Sequence, residues 1–452
     1  MDGGVTMGER RRWATWSSAL AVGVVLTAAG CSSSPGAPST STGAPSSTPS
    51  SSAASSPSVA AGAQIDVGAV SSLSGPLAGY FGGLAPGMTA YFDTLNATGG
   101  ADGHKIVLTN SLDDGGSPSQ FVQDARTLVD QDHVFAIGVA SAWFTPGYFV
   151  ATKTPTYGYN VSANWQNAPN LYAVGGSTQI YANNFSTMAY FINKVKAKSV
   201  AFISYGPAIA SSYDACSTYA SGMKAAGYDV ALADVGAQVG GSFNADVQKL
   251  QQSGAQLVVT CMQASDNITL ARDIQQYGLK IKQYWLNGYD KALLDQYESL
   301  MQGVYVDNVG GVPFEAADTS RFGTTYAAMQ NYIAAMNKYE PAYTYNGVAF
   351  QGWQSAALIA AGVRAAGADI TQANVINATN KITDFTAGGL SAPVDWTVSH
   401  TGTTFPACTS FVQVQGKVYV PVFAPGKQVF ICLDRNVKNP VPVTPPPGTP
   451  GT

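Results

Sequence analysis

Charge is scarce in this chain. Asp, Glu, Lys and Arg make up 11% of its 452 residues, against about 25% in an average protein. The surface must therefore be polar but neutral, carried by Ser, Thr, Asn, Gln and Gly. A net charge of −4 leaves no basic face, which argues against nucleic acid as a partner. Histidine is nearly absent: His104, His133 and His400 are scattered, and no two cysteines stand at C-x-x-C spacing, so neither a metal site nor a cofactor is expected. The chain also lacks a G-x-S-x-G elbow, any G-x-G and any G-K-[ST]. Those absences remove the hydrolase nucleophile turn, the dinucleotide fingerprint and the phosphate-binding loop, and the chain reads as non-enzymatic. No segment after the N-terminus has the ~18 uninterrupted apolar residues of a membrane span. What the chain does have is 46% hydrophobic residues, enough to fill real cores.

The N-terminus carries an export signal. Arg10, Arg11 and Arg12 form a basic region, and Ala19–Ala29 is an apolar stretch too short to span a bilayer. Leu26-Thr27-Ala28-Ala29-Gly30-Cys31 resembles a bacterial lipobox, with Ala28 where Leu is usual. The resemblance implies that Cys31 is diacylated and becomes the new N-terminus, anchoring the chain on the extracytoplasmic face of the cell membrane. The alternative is an ordinary signal peptide with a chance cysteine. Residues 1–30 thus read as signal peptide and 31–63 as a Ser/Pro/Ala tether with too little apolar surface to fold. With Cys31 set aside, Cys216, Cys261, Cys408 and Cys432 remain, an even number that suits two disulfides in an oxidising compartment. Three connectivities are open. Cys216–Cys261 and Cys408–Cys432 are favoured because each pair lies within one stretch of the same presumed lobe; free thiols are the alternative. The Pro-rich residues 438–452 read as an extended or disordered tail.

Between tether and tail, short β-branched runs alternate with helical patterns. Strands are expected at 65–70, 106–112 and 134–139, separated by a helix built on Ala85, Met88, Tyr91, Phe92 and Leu95 and a second helix at 118–131. That β-α-β-α-β order implies a doubly wound parallel sheet, because parallel strands need crossover helices. The pattern restarts after Gly175-Gly176, with helices at 179–195, 213–227, 247–254 and 268–278 and strands at 199–204, 229–233, 257–260 and 283–286. A strand at 303–309, a long apolar helix at 343–367 and strands at 394–398, 410–414 and 417–422 follow.

Several landmarks then stand in a recognisable order. Ile65-Asp66-Val67-Gly68 leads to Leu73-Ser74-Gly75-Pro76-Leu77-Ala78; Asn96-Ala97-Thr98-Gly99-Gly100 precedes Gly103-His104-Lys105-Ile106; Asp113-Asp114 is followed by Pro118; and Phe243-Asn244-Ala245-Asp246 precedes Leu250. Together they resemble the type I periplasmic solute-binding proteins of branched-chain amino-acid ABC transporters (the leucine/isoleucine/valine-binding class), over about residues 65–423. The resemblance implies an α/β fold of two Rossmann-like lobes joined by three hinge crossovers, here near 175–178, 307–312 and 385–393. It divides the chain into a first lobe at 64–177 plus 308–388 and a second at 178–307 plus 389–437. It also implies capture of an amino-acid-like or other small polar ligand by a monomer that delivers it to an ABC permease. The alternative is a ligand-sensing envelope lipoprotein of the same fold.

Amino-acid recognition needs convergent donors for a carboxylate, an acceptor for an ammonium and an apolar wall. Ser141 and Ala142 stand at the carboxyl end of a strand, where open α/β sheets bind ligands, although a serine there also suits a helix cap. By the resemblance, Val161 and Ser162 follow the next strand as the nearest matches to a carboxylate- and amine-holding turn. Tyr80, Tyr205 and Tyr345 are the candidate aromatic walls. The family's ammonium-binding glutamate has no counterpart in Asn287-Gly288-Tyr289-Asp290. Asp290 is the substitute, or simply a helix cap, and Trp143 replaces a small residue of the amino-acid binders. Without that glutamate the ligand need not be an α-amino acid.

Overall fold

The first strand, β1 (Ile65–Ser71), is almost wholly buried, as a strand covered by helices on both faces must be. In a computed structural model of the chain the described residues are 58–452 other than 76, 179–184, 309 and 404–405. The expected signal peptide, Cys31 and the expected tether up to residue 57 lie outside them. β1 pairs in parallel with β2 (Ile106–Asp113) and β3 (Ala136–Ala140), and β4 (Thr156–Gly158) and β5 (Leu171–Ala173) extend the sheet in the order β2-β1-β3-β4-β5. The second sheet gathers β6 (Val200–Tyr205), β7 (Val230–Ala237), β8 (Leu257–Thr260), β9 (Lys282–Trp285) and β10 (Tyr305–Asp307), again parallel. A hairpin of β12 (Phe411–Gln415) and β13 (Val418–Val422) joins its edge antiparallel to β10. The fold is that of a type I periplasmic binding protein, with two α/β lobes.

The chain returns to the first sheet before that hairpin. Helix α1 (Leu84–Asn96) packs against α7 (Gly347–Ala366), and α7 also lies on β3 and β4. Two glycines set the closeness of this crossing. A Cβ on Gly87 would stand 1.9 Å from the Ala349 carbonyl oxygen, and one on Gly352 would stand 2.3 Å from that of Leu84. Where α7 begins departs from the expected 343: Asn346 Oδ1 accepts the Val348 and Ala349 N–H groups at 3.1 and 2.9 Å, so the helix starts at the residue after that cap. The expected helix over 118–131 is α2 (Pro118–Arg126) running on into a π-helical turn over Thr127–Gln131.

Three segments cross between the sheets, and they hydrogen-bond to one another. Val312 N–H donates to Leu390 O at 2.8 Å, and Thr178 N–H donates to Ser399 O at 3.1 Å. The strand expected at 394–398 is instead a turn: Val394 makes a single bridge to Phe385, and Asp395 then draws the chain round by accepting the Thr397 N–H at 2.9 Å.

Both disulfides are present. Cys216, in α3 (Ala210–Ala225), bonds Cys261 just past β8. Cys408 and Cys432 face each other across β11 (Ala407–Thr409) and β14 (Ile431–Leu433). The C-terminal tail is extended and docked, because β15 (Pro442–Val443) pairs with β14 and Thr449 is buried. At the other end Val59 N–H donates to Ile370 O at 2.8 Å, so the last residues of the expected tether are already held on the body.

Candidate ligand-binding cleft

Strand carboxyl ends from both sheets open onto one cavity of about 270 Å³, the place where α/β sheets bind ligands because loops and helix starts converge there. From the first lobe come Tyr80 and Phe81 of the helical turn Ala78–Phe81, Ala142 beyond β3, and Tyr159, Asn160 and Val161 beyond β4. The second lobe supplies Tyr205 at the end of β6, Cys261 and Gln263 beyond β8, Asn287 beyond β9 and Asp307 at the end of β10. The flank of α3 adds Ser211, Ser212, Ala215 and Tyr219, and the crossings close the floor with Gly175, Gly176 and 391–394.

A hydrogen-bond chain spans the cleft. Tyr159 O–H donates to Asn287 Oδ1 at 2.8 Å, joining the two lobes. Tyr80 and Tyr159 hydroxyls lie 3.3 Å apart. A carbonyl oxygen only accepts, so the Tyr159 proton goes to Asn287 and the Tyr80 proton to Tyr159. Asn287 Nδ2 donates to Met262 O at 3.2 Å, and the main-chain carbonyl of Asn287 accepts from Asn267 Nδ2 at 2.7 Å. Across the cavity Tyr205 O–H donates to Asp266 Oδ2 at 2.5 Å, which also takes the Gly240 N–H at 2.9 Å. Burial raises all three phenols above their ordinary pKa; Tyr159 and Asp307 add to the rise at Tyr80, and Asp266 to that at Tyr205. They stay protonated, and the Tyr205 oxygen in turn accepts the Gln263 N–H at 3.1 Å, as the Tyr159 oxygen accepts the Tyr80 proton.

Of the eight residues singled out from the sequence, Tyr80, Ala142, Val161 and Tyr205 line the cavity. The other four stand elsewhere, each for a physical reason. Ser141 is buried with its hydroxyl donated to Asp114 Oδ2, which Ser72 Oγ also approaches at 2.9 Å; the Asp114 carboxylate is wholly buried and claims both hydroxyls. Ser162 precedes the 3-10 turn Ala163–Trp165 and is not on the wall. Tyr345 packs edge-on against Phe314, ring centroids 4.8 Å apart, in the apolar junction behind the cleft. Asp290 caps α5 (Lys291–Met301), accepting the Leu293 N–H at 2.9 Å, and also accepts from Asn346 Nδ2 at 3.3 Å. Burial raises its carboxyl pKa, opposed by those two donors. The strand-end pair Asp113-Asp114 is likewise structural: Asp113 Oδ1 takes the Leu73, Ser74 and Gly115 N–H groups.

Sequence reasoning missed Asp307, Tyr159, Asn287 and Gln351 as cavity residues. Asp307 stood out only as the start of a crossover. Its place at the end of a parallel strand is the signal that could have found it. Gln351 carried no such signal. It sits inside the apolar helix α7 with Oε1 buried and without a hydrogen-bond partner among the described residues.

Comparison with known proteins agrees with this architecture. A family model described as periplasmic binding protein matches residues 64–418. Leu/Ile/Val-binding protein homolog 3 of Brucella melitensis is 26% identical over 232 residues, 48% of this chain and 60% of the relative. Leu/Ile/Val-binding protein BraC3 of Rhizobium johnstonii is 36% identical over 78 residues, 17% of this chain and 21% of the relative. The chain thus spans less than two thirds of the curated relatives it matches. Among solved structures, a fatty acid ABC transporter substrate-binding protein from Thermomonospora curvata superposes with a TM-score of 0.67 at 18% identity, covering 81% of this chain and 93% of that one. A possible leucine/isoleucine/valine-binding protein from Rhodopirellula baltica gives 0.64 at 17% identity, covering 80% and 97%. At these identities the likeness is one of fold.

Proposed function

The chain belongs to the periplasmic binding protein family, and from that premise we propose that it captures a small molecule between its lobes, outside the cytoplasmic membrane, for delivery to an ABC importer. The observation that carries the reading is the cavity at the strand ends, walled by both lobes and bridged by the Tyr159–Asn287 hydrogen bond. A ligand touching both walls favours the closed arrangement by its differential affinity for it, and closure is what a permease distinguishes. Tyr80, Ala142, Val161 and Tyr205, with Tyr159, Asn287 and Asp307, are the contact surface. The site captures and releases; it performs no chemistry.

The export reading has its own support. Two disulfides suit an oxidising compartment, and the Ser/Pro-rich stretch after Cys31 suits a lipid-anchored monomer held by a tether. Labelled palmitate should enter the wild-type chain and not the Cys31→Ser variant; equal labelling would remove the anchor.

The central test is a thermal-shift screen against amino acids, amines, amides, alcohols and carboxylic acids. A ligand at 100 times its Kd stabilises by about 2.7 kcal/mol, and Tyr205→Ala should abolish that shift. A screen without any shift would overturn capture of a small molecule.

A further inference from the structure

The net charge of −4 conceals an uneven distribution. Strands β6 to β10 run parallel, so their carboxyl ends open on the cleft and their amino ends form the opposite edge of the second sheet. Lys194, Lys196 and Lys198 stand on the segment entering β6, and Lys280 and Lys282 on the one entering β9. Lys417 joins them from the turn between β12 and β13. That turn lies beside the start of β10, where Gly303 N–H donates to Val414 O at 3.0 Å. All six lysines are exposed. The expectation of no basic face therefore fails, because the fold gathers lysines that stand far apart in the chain.

These charges are not neutralised within the protein. The ion pairs among the described residues involve Lys249 and Lys291 instead. Lys282 Nζ donates to the Val195 carbonyl, and Lys194 Nζ lies 5.1 Å from the centre of the Tyr190 ring, contacts that leave both charges in place. On the segments that build this edge (194–199, 226–229, 254–256, 279–282, 301–304 and 415–418) Asp229 is the one acid, with Glu298 a turn away. The matching edge of the first sheet is mixed, with Asp66, Asp102 and Asp132 near Lys105 and Lys153.

Neighbouring strands lie about 4.8 Å apart, and charges are felt over a Debye length of about 8 Å at physiological salt. The lysines of this edge therefore act together on whatever lies against it. Ammonium groups on flexible stems respond to charge rather than to a fixed shape, which suits a surface of laterally mobile phosphates. We propose that this edge docks the protein on an anionic phospholipid bilayer, with the cleft turned away from the membrane. The lipid anchor proposed at Cys31 would keep such a surface within reach, and the docking is independent of which solute the cleft takes.

Sedimentation of the full-length protein with vesicles tests it, comparing phosphatidylglycerol mixed into phosphatidylcholine with phosphatidylcholine alone. Arg10, Arg11, Arg12 and the apolar stretch after them are common to every variant, so differences between variants read the edge. One lysine near an anionic surface contributes about five-fold in partitioning. Lys194→Gln, Lys196→Gln and Lys198→Gln combined should lower binding to the anionic vesicles on the order of a hundred-fold. Lys280→Gln with Lys417→Gln should lower it about twenty-five-fold, and this second set decides if the first does not fold. Lys153→Gln, Lys338→Gln and Lys381→Gln remove the same charge from exposed positions off the edge and should cost less than about ten-fold. Wild-type binding should also fade toward 1 M salt, where the Debye length falls to about 3 Å. Equal losses in the edge and control sets would overturn the inference. So would a wild-type chain without preference for phosphatidylglycerol, or one retained by heparin and not by the vesicles.

Discussion

Asp290 lies beyond β9 and Asp307 ends β10, adjacent strands of the same sheet, and the fold uses them differently. Asp290 is followed at once by α5, whose first N–H groups have no partner within the helix and claim its carboxylate. That turn then packs into the lobe junction: Tyr419 accepts the Asp290 N–H at 3.0 Å, and Asn346 reaches its other oxygen. Asp307 is followed by the crossing residues 308–313, and no regular helix intervenes before the 3-10 turn Phe314–Ala317. Asp307 lines the cleft wall. Strand-end position selects candidates; the segment after each strand decides which becomes a cap and which faces the ligand.

The junction around Asp290 should show the largest effects on stability. Glu315 Oε1 accepts the Tyr419 N–H at 2.7 Å, and burial raises its pKa from 4.5 to about 7. Because the folded value lies above the unfolded one, the folded chain holds this proton more tightly. Its contribution is therefore fully present below pH 4.5 and is lost as pH rises to 7, by about 3 kcal/mol. Urea unfolding across that window should show the decline, and Glu315→Gln should flatten it; an unchanged slope in the variant would assign the dependence to other groups.

Asp290→Ala comes next. Loss of the cap and of the Asn346 bond should cost about 2 kcal/mol, while ligand affinity stays as it was. Asp307→Asn, on the cleft wall, should instead weaken ligand binding in isothermal titration. If Asp290→Ala weakened ligand binding with stability intact, the contrast between the two aspartates would collapse.

Smaller effects sharpen the picture of the walls. Ser141→Ala deprives buried Asp114 of a donor and should cost about 1–2 kcal/mol, with ligand affinity unaltered. A titration showing lost affinity instead would return Ser141 to the site. Tyr159→Phe removes one cross-lobe hydrogen bond, worth about 1 kcal/mol. Stopped-flow measurement should then find ligand release faster by roughly five-fold, and a release rate equal to wild type would mean that bond is not part of closure.

Much of the fold is legible because it repeats. Apolar runs at strand spacing alternate with helical ones, so β1 to β3 and β6 to β10 can be read along the chain, and the even cysteine remainder points to the two bridges. Three-residue strands such as β5 carry too little pattern to be seen, since their order comes from the neighbouring strand. The turn at 394–398 misleads because Val394 and Val398 suggest a strand, while Asp395 binds its own following backbone. The site is less legible still. Tyr80 and Tyr205 are placed by their position after a glycine turn and a strand, whereas Ser141 and Asp290 have side chains equally suited to a ligand or to the protein's own N–H and carboxylate groups.

Local chemistry thus determined what can be read in order along the chain: the alternating elements of the two sheets, the even cysteine remainder and a surface with little charge. Tertiary structure alone decided which polar groups are spent inside the protein and which face the cavity. A buried donor or acceptor left without a partner costs free energy, and the competition for partners is settled largely by residues tens or hundreds of positions away. Asp114 takes Ser141, Asn287 takes the Tyr159 proton, and α5 takes Asp290.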